Sequence, residues 1–111
     1  MDYCGVRSGR DVDKFVQCHL TAEKSVSVSA PSIAQSPVCI ECSVTQVIAL
    51  GSHDMFLAKV TAVTVDRKYM DKDGKFHLND TGLVAYSHGE YFSLGSRQGK
   101  FGYSVRKKSK R

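Results

Sequence analysis

The chain has 111 residues, which is long enough for one small domain with a single hydrophobic core and too short for two ordinary ones. Hydrophobic residues make up 41% of it, and no apolar run approaches the ~20 residues of a membrane-spanning helix, so we expect a soluble protein without a membrane segment. The first residues carry charges and no apolar signal region, which indicates a cytoplasmic protein. In that compartment four cysteines are expected to be free thiols: Cys4, Cys18, Cys39 and Cys42.

The net charge of +5 comes from the C-terminal end of the chain. Residues 106–111 include five Lys or Arg side chains, so the first 105 residues hold 11 basic and 11 acidic ones. We therefore predict a neutral domain over residues 1–105, a solvated basic tail over residues 106–111 and no nucleic-acid partner. A nucleic-acid-binding barrel is the alternative, and it would require salt-sensitive binding that extends beyond the tail.

The N-terminal segment is predicted to be a loop followed by a short helix. Ser8 and Asp11 are the candidate helix caps, and the apolar residues that follow have helical spacing up to the end of the helix near residues 18–20. With Gly9 beside them, Ser8, Arg10 and Lys14 are positioned to hold a phosphate through backbone N–H groups and cationic side chains. The alternative is a capped, charged surface helix. Residues 25–37 are rich in Ser, Ala and Pro and indicate a connector with a short extended edge at Val26 and Val28.

Residues 38–66 carry the strongest structural signal, a long β-hairpin. Two apolar stretches flank the connection at residues 51–54, and both faces of each stretch carry apolar side chains, as in a barrel strand that is covered inside and outside. The apolar positions of the first stretch change parity, which predicts a bulge near Gln46. His53 lies in the connection, where barrel folds expose residues at the mouth of a ligand site. A solvated or hydrogen-bonded loop histidine is the alternative.

Downstream of the hairpin, residues 71–75 predict a turn in which Gly74 takes a positive φ. This segment is not a calcium-binding loop, because Lys75 and Gly82 stand where such a loop needs oxygen ligands. Residues 83–105 are dense in aromatic residues and glycines, which is typical of short strands and tight turns.

Cys39 and Cys42 form a C-x-x-C pattern, which elsewhere marks zinc and dithiol sites. Residues three apart on a strand point to opposite faces, and no second cysteine pair of this spacing is present. We therefore predict structural cysteines, no bound metal and no mutual disulfide. No spacing typical of a hydrolase triad or of a dinucleotide-binding glycine motif occurs.

Three ordered stretches together resemble the flavin reductase family of FMN-binding split barrels, which includes flavoredoxin-like proteins. They are DYCGVRSGRDVDKF near the start, ECSVTQVIALGSHDMFLAKVTAV in the hairpin, and GLVAYSHGEYFSLG followed by GKFGYSV. The resemblance implies a mainly β fold, an antiparallel Greek-key split barrel, here partial and with a short N-terminal helix. It also implies non-covalent FMN near the interface of a homodimer, and hydride or electron transfer through the flavin.

The same resemblance implies roles for individual side chains. Lys14 would contact the FMN phosphate, with Ser8 and Arg10 as further candidates. His53 would lie beside the flavin or the nicotinamide nucleotide, and Tyr86 would form an aromatic wall of the flavin pocket. No side chain is implied as a covalent catalyst, because the cofactor carries the chemistry.

Similar proteins have a substantial segment ahead of the DYCG motif, with the first barrel strands and much of the FMN cradle. We therefore expect either a split or truncated protein, a start further upstream, or a companion chain that supplies the rest. The first functional hypothesis is a flavin reductase-like oxidoreductase in which FMN takes hydride from NADH or NADPH and passes electrons to free flavin or a redox partner protein. The alternative is a non-catalytic binding or assembly module, an inactive truncated barrel that has lost the flavin site.

Overall fold

The computed structural model describes residues 1–107 and is mainly β. The chain divides into two units, Met1–Phe76 and a second unit that begins at His77. The first unit contains α1 (Asp2–Val6), α2 (Lys14–Gln17), β1 (Ala22–Glu23), β2 (Ser32–Ile33), β3 (Val38–Ala49) and β4 (Asp54–Val65), followed by a 3₁₀ turn at Arg67–Tyr69. The second contains a 3₁₀ turn at Leu78–Thr81, β5 (Val84–Ser87), β6 (Glu90–Ser93) and a 3₁₀ turn at Tyr103–Val105.

The predicted long hairpin is confirmed as the antiparallel pair β3–β4, two strands of 12 residues each. The predicted bulge is also confirmed, since the pairing skips Thr45, the residue before Gln46. A second shift skips Thr61 on the opposite strand, and this one was not predicted. Each extra threonine bonds across the hairpin, Thr45 Oγ1 to the Leu57 carbonyl and Thr61 Oγ1 to the Glu41 carbonyl, both at 3.2 Å.

The predicted caps of the N-terminal helix are wrong. The helix α2 begins at Lys14, and its cap is Asp13, whose Oδ1 accepts hydrogen bonds from the backbone N–H groups of Phe15 at 3.0 Å and Val16 at 3.2 Å. Ser8 instead closes a turn, because its carbonyl accepts the N–H groups of residues 11 and 12. The helix is thus a single turn, and the predicted loop before it contains α1.

The connector between α2 and the long hairpin does not have the predicted extended edge at Val26 and Val28. The chain bends there instead, between the paired short strands β1 and β2. The cause is Glu41 of β3, whose carboxylate accepts the N–H groups of Val26 at 2.9 Å and Ser27 at 2.6 Å and the Ser27 hydroxyl at 2.8 Å. Glu41 is buried, and these hydrogen bonds lower the pKa of its carboxyl. The bent connector is therefore fastened to the hairpin by the Glu41 carboxylate, and the Ser27 hydroxyl also lies 2.6 Å from Thr61 Oγ1 on β4.

The predicted turn after the hairpin is confirmed, with Gly74 at φ 80° and with Asp71 Oδ1 accepting the N–H groups of Asp73 and Lys75, both at 2.9 Å. In the second unit, β5 and β6 form a four-pair hairpin. Its two-residue turn has positive φ at both positions, His88 at 48° and Gly89 at 81°, as a tight hairpin turn requires. The predicted short strands of this region are confirmed.

The described part of the chain buries no hydrophobic side chain. Its two buried residues are polar, Ser25 and Glu41, and its strands form three separate two-stranded sheets. The barrel is not closed within residues 1–107. No helix in that range is long and apolar enough to cross a membrane. Of the predicted basic tail, residues 108–111 lie outside the described residues, and the domain boundary at residue 105 stays a prediction.

Candidate functional site

The loop of residues 8–14 surrounds an open depression of about 510 Å³, which residues 9–14 line. Its shape follows from two polar side chains. The Ser8 hydroxyl accepts the Arg10 N–H at 3.2 Å, and the Asp13 carboxylate holds the start of α2. Arg10 and Lys14 thus lie on the rim of one depression, with Ser8 bonded to the backbone beside them. The structure brings these three predicted site residues together.

Lys14 is half-buried and already has one partner, because its Nζ donates a hydrogen bond to the Cys4 carbonyl at 2.6 Å. An ammonium group has three N–H donors, so this bond leaves donor capacity for a ligand. The bond also connects α1 to the first residue of α2. Lys14 is therefore a cation whose position is fixed by the fold rather than a freely rotating surface side chain.

Contrary to the prediction, backbone N–H groups at the start of α2 are already used within the protein. The N–H groups of Phe15 and Val16, which would have helped to cradle a phosphate, are bonded to the Asp13 carboxylate. Asp11 and Asp13 also balance the formal charges of Arg10 and Lys14 on the same loop. An anion in this depression would thus be recognised by the two cationic side chains rather than by the helix terminus.

His53 lies in the four-residue connection between β3 and β4, as predicted, and is exposed. Its Nδ1 is 2.9 Å from the Ser52 hydroxyl, and its carbonyl accepts the Leu50 N–H at 2.8 Å. Gly51, at φ 90°, provides the left-handed residue that the turn needs. The imidazole is therefore oriented through one ring nitrogen, while its Nε2 is on the opposite side of the ring from that bond.

Tyr86 lies on β5 in the second unit, apart in sequence from the other candidates. It pairs with Tyr91 across the hairpin, with ring centroids 5.2 Å apart and an interplanar angle of 63°. Such an edge-to-face contact holds the Tyr86 ring while its side chain stays 65% exposed. An exposed and positioned aromatic ring is the kind of surface on which a planar ligand stacks.

All four cysteines are free thiols. The Sγ atoms of Cys4 and Cys18 lie 3.7 Å apart, a contact that sequence reasoning missed. The signal that could have found it was a pair of short helices around a tight loop, but α1 was predicted to be loop. The residues that the structure describes hold no cluster of three or more His, Cys, Asp or Glu side chains suited to a metal ion. The prediction that Cys39 and Cys42 bind no metal stays a prediction.

Comparison with known proteins identifies the family of this chain. Residues 1–95 match the model of the flavin reductase like domain. An uncharacterized protein from Archaeoglobus fulgidus is 30% identical over 94 residues, which cover 85% of this chain and 52% of that protein, so the chain spans about half the length of the curated relative that it matches.

Solved structures agree with the family model. The flavoredoxin of Desulfovibrio vulgaris (Miyazaki F) is 28% identical with a TM-score of 0.82, and the match covers 95% of this chain and 57% of that one. A protein with a split barrel domain from Shewanella frigidimarina NCIMB 400 is 21% identical with a TM-score of 0.72, over 92% of this chain and 52% of that one, which supports the fold. With a family match over most of its residues, the chain belongs to the flavin reductase like domain family.

Proposed function

We propose that this chain is part of an FMN-binding, flavin reductase-like oxidoreductase that takes hydride from NADH or NADPH and passes electrons to free flavin or to a partner protein. The observation that carries the proposal is the depression with Arg10 and Lys14 on its rim, in a chain of the flavin reductase like family. FMN differs from riboflavin by a phosphate dianion, and two positioned cations are the groups that would recognise it.

Three features of the loop fit a phosphate. Lys14 has N–H donors beyond the one that it gives to Cys4, and the guanidinium of Arg10 presents a planar set of donors suited to two oxygens. The Ser8 oxygen accepts the Arg10 N–H, so the Ser8 hydroxyl hydrogen is available to a phosphate oxygen. The nearby aspartates set a limit on affinity, because their charges oppose an anion.

Bound FMN would supply the hydride and electron chemistry, and the protein would bind and orient it. In this proposal His53 lies beside the flavin or the nicotinamide. If the Ser52 hydroxyl donates to Nδ1, the neutral imidazole carries its proton on Nε2 and donates a hydrogen bond from there to a carbonyl oxygen of either ring system. Tyr86, in the second unit, has an exposed aromatic ring of the kind that covers a flavin face.

The proposal includes completion of the barrel by further polypeptide, in a cytoplasmic homodimer or with a companion chain. A ligand pocket usually buries roughly 70% or more of its ligand, whereas the depression at residues 9–14 is open. The hydrophobic side chains of the long hairpin are also left uncovered in the described residues. We therefore expect the 111-residue chain alone to bind FMN weakly, and a family-like N-terminal segment, joined or added, to restore binding.

The test is a fluorescence titration of FMN and of riboflavin with the completed protein and its Lys14→Ala variant. A half-buried charged hydrogen bond to the phosphate should contribute about 1.4 kcal/mol, so Kd for FMN should rise about tenfold. Kd for riboflavin should hardly change. Lys72→Ala is the matched control, because Lys72 is an exposed lysine in the turn after the hairpin. Equal weakening of FMN and riboflavin would contradict the role of Lys14.

A non-catalytic binding or assembly module is the second candidate, favoured by the absence of any buried hydrophobic side chain in the described residues. The colour of the purified protein distinguishes the two functions. The oxidoreductase, once completed, should be yellow after purification and should be reduced by NADH or NADPH. An assembly module should be colourless and should bind its partner equally well with or without added FMN.

A further inference from the structure

Cys4 and Cys18 form a dithiol pair at one end of the phosphate-binding loop proposed above. Their Sγ atoms are 3.7 Å apart and share a hydrogen bond, and both side chains are half-buried. A disulfide has an S–S length of ~2.05 Å, so the two sulfur atoms need to approach by only about 1.7 Å. The approach that oxidation requires is thus shorter than the S–S bond that it forms.

The pair is held together by more than its own contact. Lys14 touches both partners, since its Nζ donates to the Cys4 carbonyl at 2.6 Å and its carbonyl accepts the Cys18 N–H at 3.0 Å. Cys18 is the C-terminal cap of α2, and Cys4 lies within α1. Lys14 thus hydrogen-bonds to the backbone of both cysteines, and these bonds keep the two thiols next to each other in the folded chain.

The two thiols are not equivalent. Burial raises the pKa of the Cys18 thiol, and the hydrogen bond and charge of Cys4 raise it further. The raised pKa favours the protonated form of Cys18, although either sulfur can be the donor in the hydrogen bond between the two thiols. Because the attacking sulfur in an exchange reaction is a thiolate, the raised pKa of Cys18 favours Cys4 as the first to react and Cys18 as the thiol that follows.

We propose that Cys4 and Cys18 are a reversible dithiol–disulfide site, oxidised by exchange with the disulfide of a small thiol such as glutathione. The Cys4 thiolate attacks one sulfur of that disulfide, forms a mixed disulfide and releases one small-molecule thiolate. Cys18 then loses its proton to solvent and attacks the Cys4 sulfur, which releases the second thiolate. Two protein thiols are oxidised and one small disulfide is reduced, and an added dithiol reverses the process.

The site is distinct from the C-x-x-C pattern of the hairpin. Cys39 Sγ contacts the Ile33 carbonyl at 3.8 Å, and Cys42 is exposed on β3. In an unfolded chain Cys39 should pair with Cys42 instead, because only two residues lie between them, whereas 13 lie between Cys4 and Cys18. Selective pairing of Cys4 with Cys18 is therefore a signature of the folded structure.

The test is oxidation of the protein with oxidised glutathione, followed by thiol counting and by peptide mapping in a mass spectrometer. Half of the four thiols should be lost, and the map should join the peptides of Cys4 and Cys18. Dithiothreitol should restore all four. The Cys39→Ser/Cys42→Ser variant should oxidise like the parent, whereas Cys18→Ser should stop at a mixed disulfide of Cys4 with glutathione.

Oxidation in guanidinium chloride provides the control for random pairing, and the selectivity should be lost there. The proposal is overturned by a native-state map in which Cys39 or Cys42 pairs as often as the Cys4–Cys18 couple. It is also overturned if the native and denatured maps agree, or if all four thiols survive. None of these readouts requires flavin, so the result is independent of the proposed function.

Discussion

Phe56 offers a direct test of whether the long hairpin is covered by further polypeptide. It pairs with Val47 on β3, and these two residues share one hairpin face with Val44 and Ala58. Phe56 is 62% exposed, although Phe is among the residues most often buried in folded proteins. Since a Phe side chain offers about 200 Å² of surface, about 120 Å² remains for a partner to cover.

The magnitude follows from that area. At ~25 cal/mol per Å², covering it would contribute about 3 kcal/mol, or a factor of more than about 100 in Kd. Phe56→Thr introduces a β-branched residue, which suits a strand, and removes this contribution. Inside the chain the substitution loses the burial of about 80 Å², or about 2 kcal/mol, which should appear separately as a lower melting temperature.

Sedimentation velocity over a range of concentrations measures the association, and circular dichroism shows whether the strands are kept. The parent should associate, with itself or with an added N-terminal segment, and Phe56→Thr should shift the midpoint by more than about 100-fold. Lys59→Thr is the control, a polar exposed position on the same strand. The reasoning fails if the parent shows no association, or if both variants shift it equally.

Three further predictions concern other side chains. Hydrogen bonds lower the pKa of Glu41 in the folded state, so its stabilising contribution is present above the unfolded pKa of ~4.3 and is lost as pH falls through the folded pKa. Glu41→Gln should therefore have a lower melting temperature than the parent at pH 7. A difference in melting temperature that does not shrink towards pH 3 would contradict this. His53→Ala should mainly slow anaerobic reduction of bound FMN by NADH, by about tenfold, because one hydrogen bond of about 1.4 kcal/mol to the nicotinamide would be lost. Metal analysis of purified protein should find no stoichiometric zinc at Cys39 and Cys42, and zinc that disappears in a Cys39→Ser/Cys42→Ser variant would refute this.

The long hairpin could be predicted from sequence because its signals are local. Apolar stretches of strand length, a glycine in the connection and the parity change beside Gln46 are all readable within a few residues. The bulge at Thr61 left no such signal, since both faces of β4 are apolar and a change of phase there alters no pattern.

The N-terminal cap was missed for a related reason. Ser8, Asp11 and Asp13 are all good capping residues within six positions, and a single-turn helix has too few apolar positions to choose among them. Glu41 was missed as an anchor because its partners lie 14 and 15 residues earlier, in a connector without periodicity. Of the candidate site, the cluster of Ser8, Arg10 and Lys14 follows from sequence proximity, whereas the contact of Lys14 with Cys4 depends on the fold.

The two bulged threonines of the long hairpin also compensate each other. Thr45 adds one residue to β3 and Thr61 adds one to β4, so the strands have equal lengths and their ends remain aligned, Val38 with Val65 and Ala49 with Asp54. Each bulge increases the right-handed coiling of the ribbon. The hairpin can therefore coil while its two strands keep their register from end to end. Deleting one threonine alone would shift one strand by a residue, so the side chains beyond the deletion would move to the opposite face of the hairpin. Deleting both threonines would restore the alignment in a flatter ribbon.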